Sequence, residues 1–255
     1  MAVNPELVEQ AATWIAGSRK PAVFTGAGVS RESGIPTFRE AGTGLWAQYD
    51  PQQLATVEGF LQDPKLVWEW YAYRRKIVAG ILPNPGHRAI AELEELLDGL
   101  VVITQNIDGL HQRAGSRAVI ELHGNINRVK CFQGDEIHEN WSDEDFSGEI
   151  PPRCQTCGSY LRPDVVWFGE TLPGEALTAS FEFAESCDLM LVVGTSGQVQ
   201  PAASLPVVAR RSGARIVEVN PAPSEITSSS DILLEAKSGE ILPEVVARAR
   251  EIKQG

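Results

Sequence analysis

The chain has 255 residues, enough for one large domain carrying a smaller one. A hydrophobic fraction of 43% and a charged fraction of 22% are those of a globular protein, and no apolar run is long enough to cross a bilayer, so no membrane partner is expected. The formal net charge of -12 argues against nucleic acid as a partner, because sequence-independent binding needs basic surface, and favours attraction of basic protein tails. The opening MAVNPELVEQ has no basic patch followed by an apolar stretch, which makes a cytoplasmic location the expectation. Four cysteines are too few for a disulfide framework in a chain this long, and the CxxC at Cys154 and Cys157 reads as metal or redox chemistry.

Taken in chain order, Asn4-Pro5 is a helix-start signal, and Leu7, Ala11 and Ile15 then share a face until Gly17 closes the helix. A β-branched apolar run from Ala22 to Thr25 predicts the first strand. The aromatic, helix-like segment 40–83 interrupts the pattern. It resumes with a helix from His87 to Leu97 and strands at Val101 to Thr104 and Ala118 to Leu122. Segment 125–163, with three of the four cysteines, interrupts it again. A helix from Gly174 to Ser186, a strand from Leu189 to Val193, a helix from Ala202 to Arg211, a strand from Ile216 to Val219 and a helix from Glu240 to Ile252 complete the chain. This alternation predicts an α/β fold: a Rossmann-like parallel sheet flanked by helices, built from 1–39, 84–124 and 164–255. The two interruptions, 40–83 and 125–163, are expected to form a smaller second lobe with a ligand cleft between the lobes.

Chemistry-bearing residues fall at the strand ends. Thr25-Gly26-Ala27-Gly28-Val29-Ser30 places glycines directly after the first strand, where backbone N–H groups can approach a phosphate. The spacing is not GxGxxG, since position 31 is Arg31, and by itself the stretch fits a plain strand-to-helix turn equally well. Gln105, Asn106 and Asp108 follow a strand and offer amide and carboxylate groups to ribose hydroxyls or a carboxamide, or, for Asn106 and Asp108, an Asx-type turn. His123 ends a strand, precedes Gly124 and titrates near neutrality, which suits a general base. His87, His111 and His138 read as structural.

The run GAGVSRESGIPTFRE, from Gly26 to Glu40, resembles the signature of the sirtuin family. Three further blocks agree in the same order: Thr104-Gln105-Asn106-Ile107-Asp108 with Leu110-His111, Glu121-Leu122-His123-Gly124, and Gly194-Thr195-Ser196 leading to Pro201-Ala202. The resemblance runs from about Pro21 to the C-terminal helix. It implies an NAD-dependent protein-lysine deacylase that moves the acyl group from lysine to ADP-ribose and releases nicotinamide, with acylated-lysine proteins or peptides as partners; apart from the resemblance, a monomer is the default expectation. By the same resemblance, NAD is the co-substrate, held by Gly26, Ala27, Gly28, Ser30, Ile35, Thr37, Phe38, Arg39, Gln105, Asn106, Ile107, Asp108, Gly194, Thr195, Ser196, Asn220 and Ser238. His123 and Asn106 are then catalytic, and Val166, Trp167, Phe168, Gly169 and Glu170 form the strand that clamps the substrate peptide.

Tyr71 and Arg74, three residues apart, share a helix face and together suit a carboxylate. With Ala55, and Thr37 within GIPTFR, they resemble the class III branch, which removes succinyl, malonyl or glutaryl groups; deacetylation is expected to persist. On the residues alone, Tyr71 packs in a core and Arg74 and Arg75 form a solvated basic face. The family's structural zinc sits in two CxxC pairs within a zinc-ribbon-like module, and here the first pair is broken: Cys131 is followed by Gly134. Cys131, Cys154 and Cys157 remain, with Asp135, Glu136 or His138 as fourth ligand at unusual spacing, so zinc stays open. Without it, Trp141, Phe146 and Tyr160 are the expected anchors of the module, and Cys187 is a small buried hydrophobe. Mono-ADP-ribosyl transfer and a silent NAD or ADP-ribose sensor are the competing readings. A hydride-transferring dehydrogenase would follow only if the glycine turn were trusted alone.

Overall fold

The computed structural model describes residues 3–35, 51–134, 136–139, 141–143 and 148–255, with the backbone alone at Pro51. Helix α1 (Pro5–Gly17) begins as its sequence asks: the Asn4 side chain accepts from the Glu6 N–H, and Val8, Ala11, Ala12 and Ile15 are buried. Strand β1 (Pro21–Thr25) follows, then a single turn of helix, α2 (Gly28–Arg31). Helices α3 (Pro51–Leu54), α4 (Val57–Gln62) and α5 (Pro64–Ala79) come next. Helix α6 (Pro85–Leu96) starts two residues before the expected His87, because Asn84 caps it and Pro85 occupies its first turn. The same Asn-Pro signal opens α1.

Strand β2 (Val101–Thr104), helix α7 (Leu110–Ala114) and strand β3 (Val119–Glu121) lead into strands β4 (Gly124–Cys131), β5 (Ile137–His138) and β6 (Leu161–Val165). Helix α8 (Gly174–Ser186), strand β7 (Leu189–Val193), helix α9 (Leu205–Arg211) and strands β8 (Arg215–Asn220) and β9 (Ile232–Glu235) precede the last helix, α10 (Ser238–Gln254). The helix expected from Ala202 opens with a 3-10 turn at Ala202–Ser204. Strand β9 has no counterpart in the sequence reading. Its Ile-Leu-Leu-Glu run holds one β-branched residue, so it lacks the β-branched enrichment that marks the equally short β2.

Six strands form one parallel sheet in the order β3-β2-β1-β7-β8-β9. From β1 the chain runs outward through β2 to β3, then returns to place β7 on the other side of β1. The carboxyl ends of β1 and β7 therefore flank the point where the winding direction reverses, the place where such sheets bind ligands. Both faces are covered. One apolar cluster unites α1, α6 and α10 with the sheet, and another unites α8 and α9 with it. β4, β5 and β6 form a separate antiparallel sheet, and a third cluster packs Phe60, Val67, Trp70 and Tyr71 of α4 and α5 against Ile126, Val165 and Trp167. Phe60 carries this contact, its ring 5.3 Å from both Phe132 and Trp167 and edge-on to Tyr160.

Candidate active site

The two glycine turns at the reversal point are in backbone contact. Gly28 N–H donates to the Gly194 carbonyl at 2.8 Å, and a Cβ on Gly194 would stand 2.3 Å from the Val29 nitrogen. Gly194 also has φ +62°, so only glycine fits on both counts. A Cβ on Gly26 would meet Thr195 at 2.8 Å. These contacts let the turns after β1 and β7 close together at the point where such sheets bind ligands, with the Gly26, Gly28 and Gly194 N–H groups bonded to the Val193, Gly194 and Val219 carbonyls. Thr195 ties the crevice to the turn after β2, accepting from the Gln105 side chain at 2.9 Å. On the far side Asn220, at the end of β8, donates to the Thr195 carbonyl and to Glu218, each at 2.8 Å. Both amide hydrogens of Asn220 are thus spent on the protein, which leaves its amide oxygen as the group it could offer a ligand.

The floor of the site is a buried polar network. Ser30 donates to Asp108 at 2.7 Å and accepts from Asn106 at 3.0 Å, while Asp108 also accepts from the Leu110 N–H at 2.9 Å. That last bond is the Asx-type turn among the sequence alternatives, so Asp108 both shapes its loop and faces Ser30. Burial raises the Asp108 pKa, against the opposing pull of these hydrogen bonds and of Arg74. His87 lies 3.3 Å from the Ser30 hydroxyl and His111 lies 3.0 Å from that of Thr25, their rings 5.0 Å apart. Burial pushes their pKa values down to about 4 and about 3, so both are neutral at physiological pH. Their role is structural, as the sequence indicates: they support the Thr25 and Ser30 hydroxyls.

His123 sits between β3 and β4, with its Nδ1 2.8 Å from the Gln105 carbonyl. A carbonyl only accepts, so Nδ1 carries the proton and Nε2 of the neutral ring is a free base. Burial lowers its pKa, partly offset by that carbonyl, which keeps the ring neutral. Gly124 makes the position possible: its φ is +80°, and a Cβ would fall 2.1 Å from the Asp164 carbonyl oxygen. The His123 carbonyl in turn accepts from the Val166 N–H at 2.9 Å and fixes the start of the segment expected to clamp substrate.

In that segment Phe168 bonds through its N–H to the Ala55 carbonyl at 2.9 Å, and its side chain is 48% exposed. Trp167 is buried, donating from its indole to the Tyr71 hydroxyl at 3.0 Å. Gly169 makes the turn, with φ +85°. Glu170 takes both guanidinium nitrogens of Arg162, at 2.5 and 2.9 Å, and the Trp167 N–H at 2.8 Å, so its carboxylate braces the turn. Tyr71 is 2% exposed, a core residue that keeps its hydroxyl in a polar contact. The guanidinium of Arg74 lies 4.8 Å from the Trp70 ring centre and 6.0 Å from that of Tyr71. Burial lowers its pKa, while Tyr71 and Asp108 raise it. Arg75 is not part of a solvated face: it is 5% exposed and forms a fork with Asp143 at 2.7 and 2.8 Å. The module's Trp141 donates to the same carboxylate and meets Trp68 edge-on.

The remaining sequence candidates divide. Ala27 caps α2, and Ile35 and Ile107 pack on the third cluster. Ser196 accepts through its carbonyl from the Glu225 N–H. Ser238, at the start of α10, donates to Glu32, whose carboxylate also takes the Gly239 N–H. Thr37, Phe38 and Arg39 lie outside the described residues, as do Phe146 and Asp135. Cys187 is buried, its pKa pushed up to about 11 by burial, as a small hydrophobe should be. Glu218 escaped the sequence reading. It is fully buried, and it accepts from Asn220, Ser224 and Thr227 at 2.5 to 2.8 Å and from Ser230 at 3.3 Å. The signal was a charge in the middle of an apolar strand followed by a Ser/Thr-rich loop.

Cys131, Cys154 and Cys157 bring their sulfurs within 4.8 Å of one another, and Cys131 and Cys157 are 3.4 Å apart. Three thiols so placed fit three corners of a tetrahedral zinc site.

A parallel sheet with glycine turns meeting at its reversal point, and a neutral histidine at a neighbouring strand end, define an α/β protein with a nucleotide crevice. This chain belongs to the Sir2 family, whose profile matches residues 26–201. It is 52% identical over 238 residues to NAD-dependent protein deacylase 2 of Pyrobaculum aerophilum, covering 92% of this chain and 93% of that one. Among solved structures it resembles a Sir2 homolog–NAD complex, with a TM-score of 0.87 and 45% identity over 96% of this chain and 94% of that chain. It also resembles Sir2Af2 bound to a myristoylated histone peptide, with a TM-score of 0.77 and 38% identity over 98% and 99% of the two chains.

Proposed function

We propose that this protein is an NAD-dependent protein-lysine deacylase whose acyl pocket prefers short dicarboxylic groups such as succinyl and malonyl. Family membership and the relatives named as deacylases support the activity, and the crevice at the reversal point suits the co-substrate. When bound, NAD supplies the departing nicotinamide and the ribose that receives the acyl group. The protein's own contribution is position and proton transfer. Ser30, Asn106 and Asp108 present a preformed polar floor, held in place by bonds of 2.7 and 3.0 Å. His123 accepts a proton at Nε2, since Nδ1 is committed to the Gln105 carbonyl. The segment from Val166 to Gly169 offers backbone to an extended peptide beside Ala55, a main-chain mode of recognition that reads little sequence.

The acyl preference is carried by one observation: Arg74, on α5, lies over the Trp70 and Tyr71 rings and interacts electrostatically with Asp108 of the loop after β2. A cation in an apolar setting beside the catalytic loop gains from a second carboxylate, which it can hold through a two-pronged bond. The Tyr71 hydroxyl, which accepts from Trp167, has its own proton to donate to the same group. A neutral acetyl group gains nothing there.

Nicotinamide release with paired succinyl-lysine and acetyl-lysine peptides tests both halves. Faster turnover of the succinyl peptide is expected. An acetyl preference would return Tyr71 and Arg74 to a packing role, and no release with either peptide would defeat the deacylase assignment. With labelled NAD, label retained on protein would favour ADP-ribosyl transfer instead.

A further inference from the structure

The three-cysteine cluster lacks the fourth side chain that two complete CxxC pairs would provide, because position 134 is glycine. The antiparallel ladder of the small sheet shows what stands in its place. β5 pairs with β4 in the register Val129 to His138 and Lys130 to Ile137, and one step further the Cys131 N–H donates to the Glu136 carbonyl at 2.9 Å. Directly opposed residues of such a ladder share a face, so Glu136 is returned to the side of Cys131. Its carboxylate is aimed at the cluster: Oε2 accepts from the Cys154 thiol at 3.2 Å and from the Thr156 hydroxyl at 3.0 Å. Oε1 lies 3.6 Å from Nε2 of His138.

We propose that Glu136 is the fourth ligand of a zinc centre completed by Cys131, Cys154 and Cys157. On one tetrahedral zinc, two thiolates stand about 3.8 Å apart, and a thiolate sulfur and a carboxylate oxygen about 3.6 Å apart. Two of the separations here are close to those values, 3.4 Å between Cys131 and Cys157 and 3.2 Å between Cys154 and Glu136, while the Glu136 carboxylate stands more than 4.8 Å from at least one of the other two sulfurs and has to swing toward them as metal enters. Metal entry takes the proton from the Cys154 thiol, so the bond that now aims Glu136 gives way to two ligands on one ion. Three thiolates and a carboxylate carry the same formal charge as four thiolates. Thr156 and His138 then act as the outer supports that orient the carboxylate. Position 134 confirms where a fourth sulfur would belong: a Cβ built on Gly134 lies 3.6 Å from the Cys131 sulfur, and its backbone is outside the left-handed region.

The test reads metal, independently of activity. As purified from zinc-containing medium, the protein should hold one zinc per chain, with X-ray absorption showing three sulfur and one oxygen neighbour. Glu136→Gln should surrender the ion to a competing chelator at roughly 10-fold lower concentration or less. Adding Gly134→Cys to that variant should restore retention and convert the spectrum to four sulfurs, which also shows that the module still folds. Asp135→Asn should change nothing. Unchanged retention in Glu136→Gln, loss in Asp135→Asn alone, or a metal-free protein with a Cys131–Cys157 disulfide would each overturn the proposal.

Discussion

The crevice between β1 and β7 and the cysteine cluster beside β5 are organised on opposite principles. At the crevice the sequence removes side chains, and Gly26, Gly28 and Gly194 let two turns meet backbone to backbone. At the cluster it brings side chains together across a short ladder, and the outcome depends on which donors the chain happens to supply. A backbone-built site tolerates few changes at its glycines and many elsewhere. A side-chain-built site can lose one corner and recruit another, as Gly134 and Glu136 illustrate.

The largest effect is expected at His123, the side chain proposed for proton transfer. His123→Ala should cost about 1,000-fold in kcat with succinyl and acetyl peptides alike, within the range of general-base losses. Residual activity within 10-fold of the parent would remove His123 from the chemistry.

Next in size is the clamp between the helical segment and the small sheet. Arg75→Met leaves the half-buried Asp143 carboxylate without its guanidinium, with the Trp141 indole still donating to it, and breaking this partly exposed pair on one side should cost about 2 kcal/mol. Denaturant unfolding should show that loss while the order of acyl preference is kept. A change under 1 kcal/mol would mean that the aromatic contacts carry the junction.

Acid should then separate the regions. His87 and His111 are neutral when folded, with pKa values near 4 and 3, and bind protons more readily when unfolded, near 6.5. Their stabilising contribution is complete above pH 6.5 and is lost as pH falls, at about 1.4 kcal/mol per pH unit for each histidine until the folded values are reached. Unfolding free energies between pH 7 and 4.5 should show this slope, flattened in His111→Gln. An identical slope in the variant would assign acid sensitivity to carboxylates.

The smallest expected effect concerns Glu218. Glu218→Gln keeps its volume but replaces one acceptor oxygen with a donor facing hydroxyls, loosening Asn220. A rise in KM for NAD of about 10-fold, near 1.4 kcal/mol, is expected with kcat little changed. Equal loss in both parameters would indicate general disruption.

Much of the sheet was legible because five of its strands are β-branched apolar runs separated by helical periodicity, and the crevice because its glycines and strand-end amides lie in uninterrupted blocks. Strand β9 was not, since its Ile-Leu-Leu-Glu run carries a single β-branched residue and reads equally well as a buried turn of helix. The start of α6 was written in Asn84-Pro85 as plainly as in Asn4-Pro5, and competing turn character around Pro83 hid it. Tyr71 shows a deeper limit. Sequence presents core packing and polar contact as alternatives, and the fold makes it both, through Trp167 from 96 residues away. Partners so distant in sequence leave no local trace, and the same holds for Arg75 with Asp143.

The proposed acyl preference depends on Arg74 reading a carboxylate on the acyl group. Steady-state kcat/KM of the parent and Arg74→Met proteins with succinyl-lysine and acetyl-lysine peptides tests it most directly. Loss of a charged hydrogen-bond partner should lower the succinyl value about 100-fold, near 3 kcal/mol, and leave the acetyl value within a few-fold. Equal losses on both peptides would contradict it.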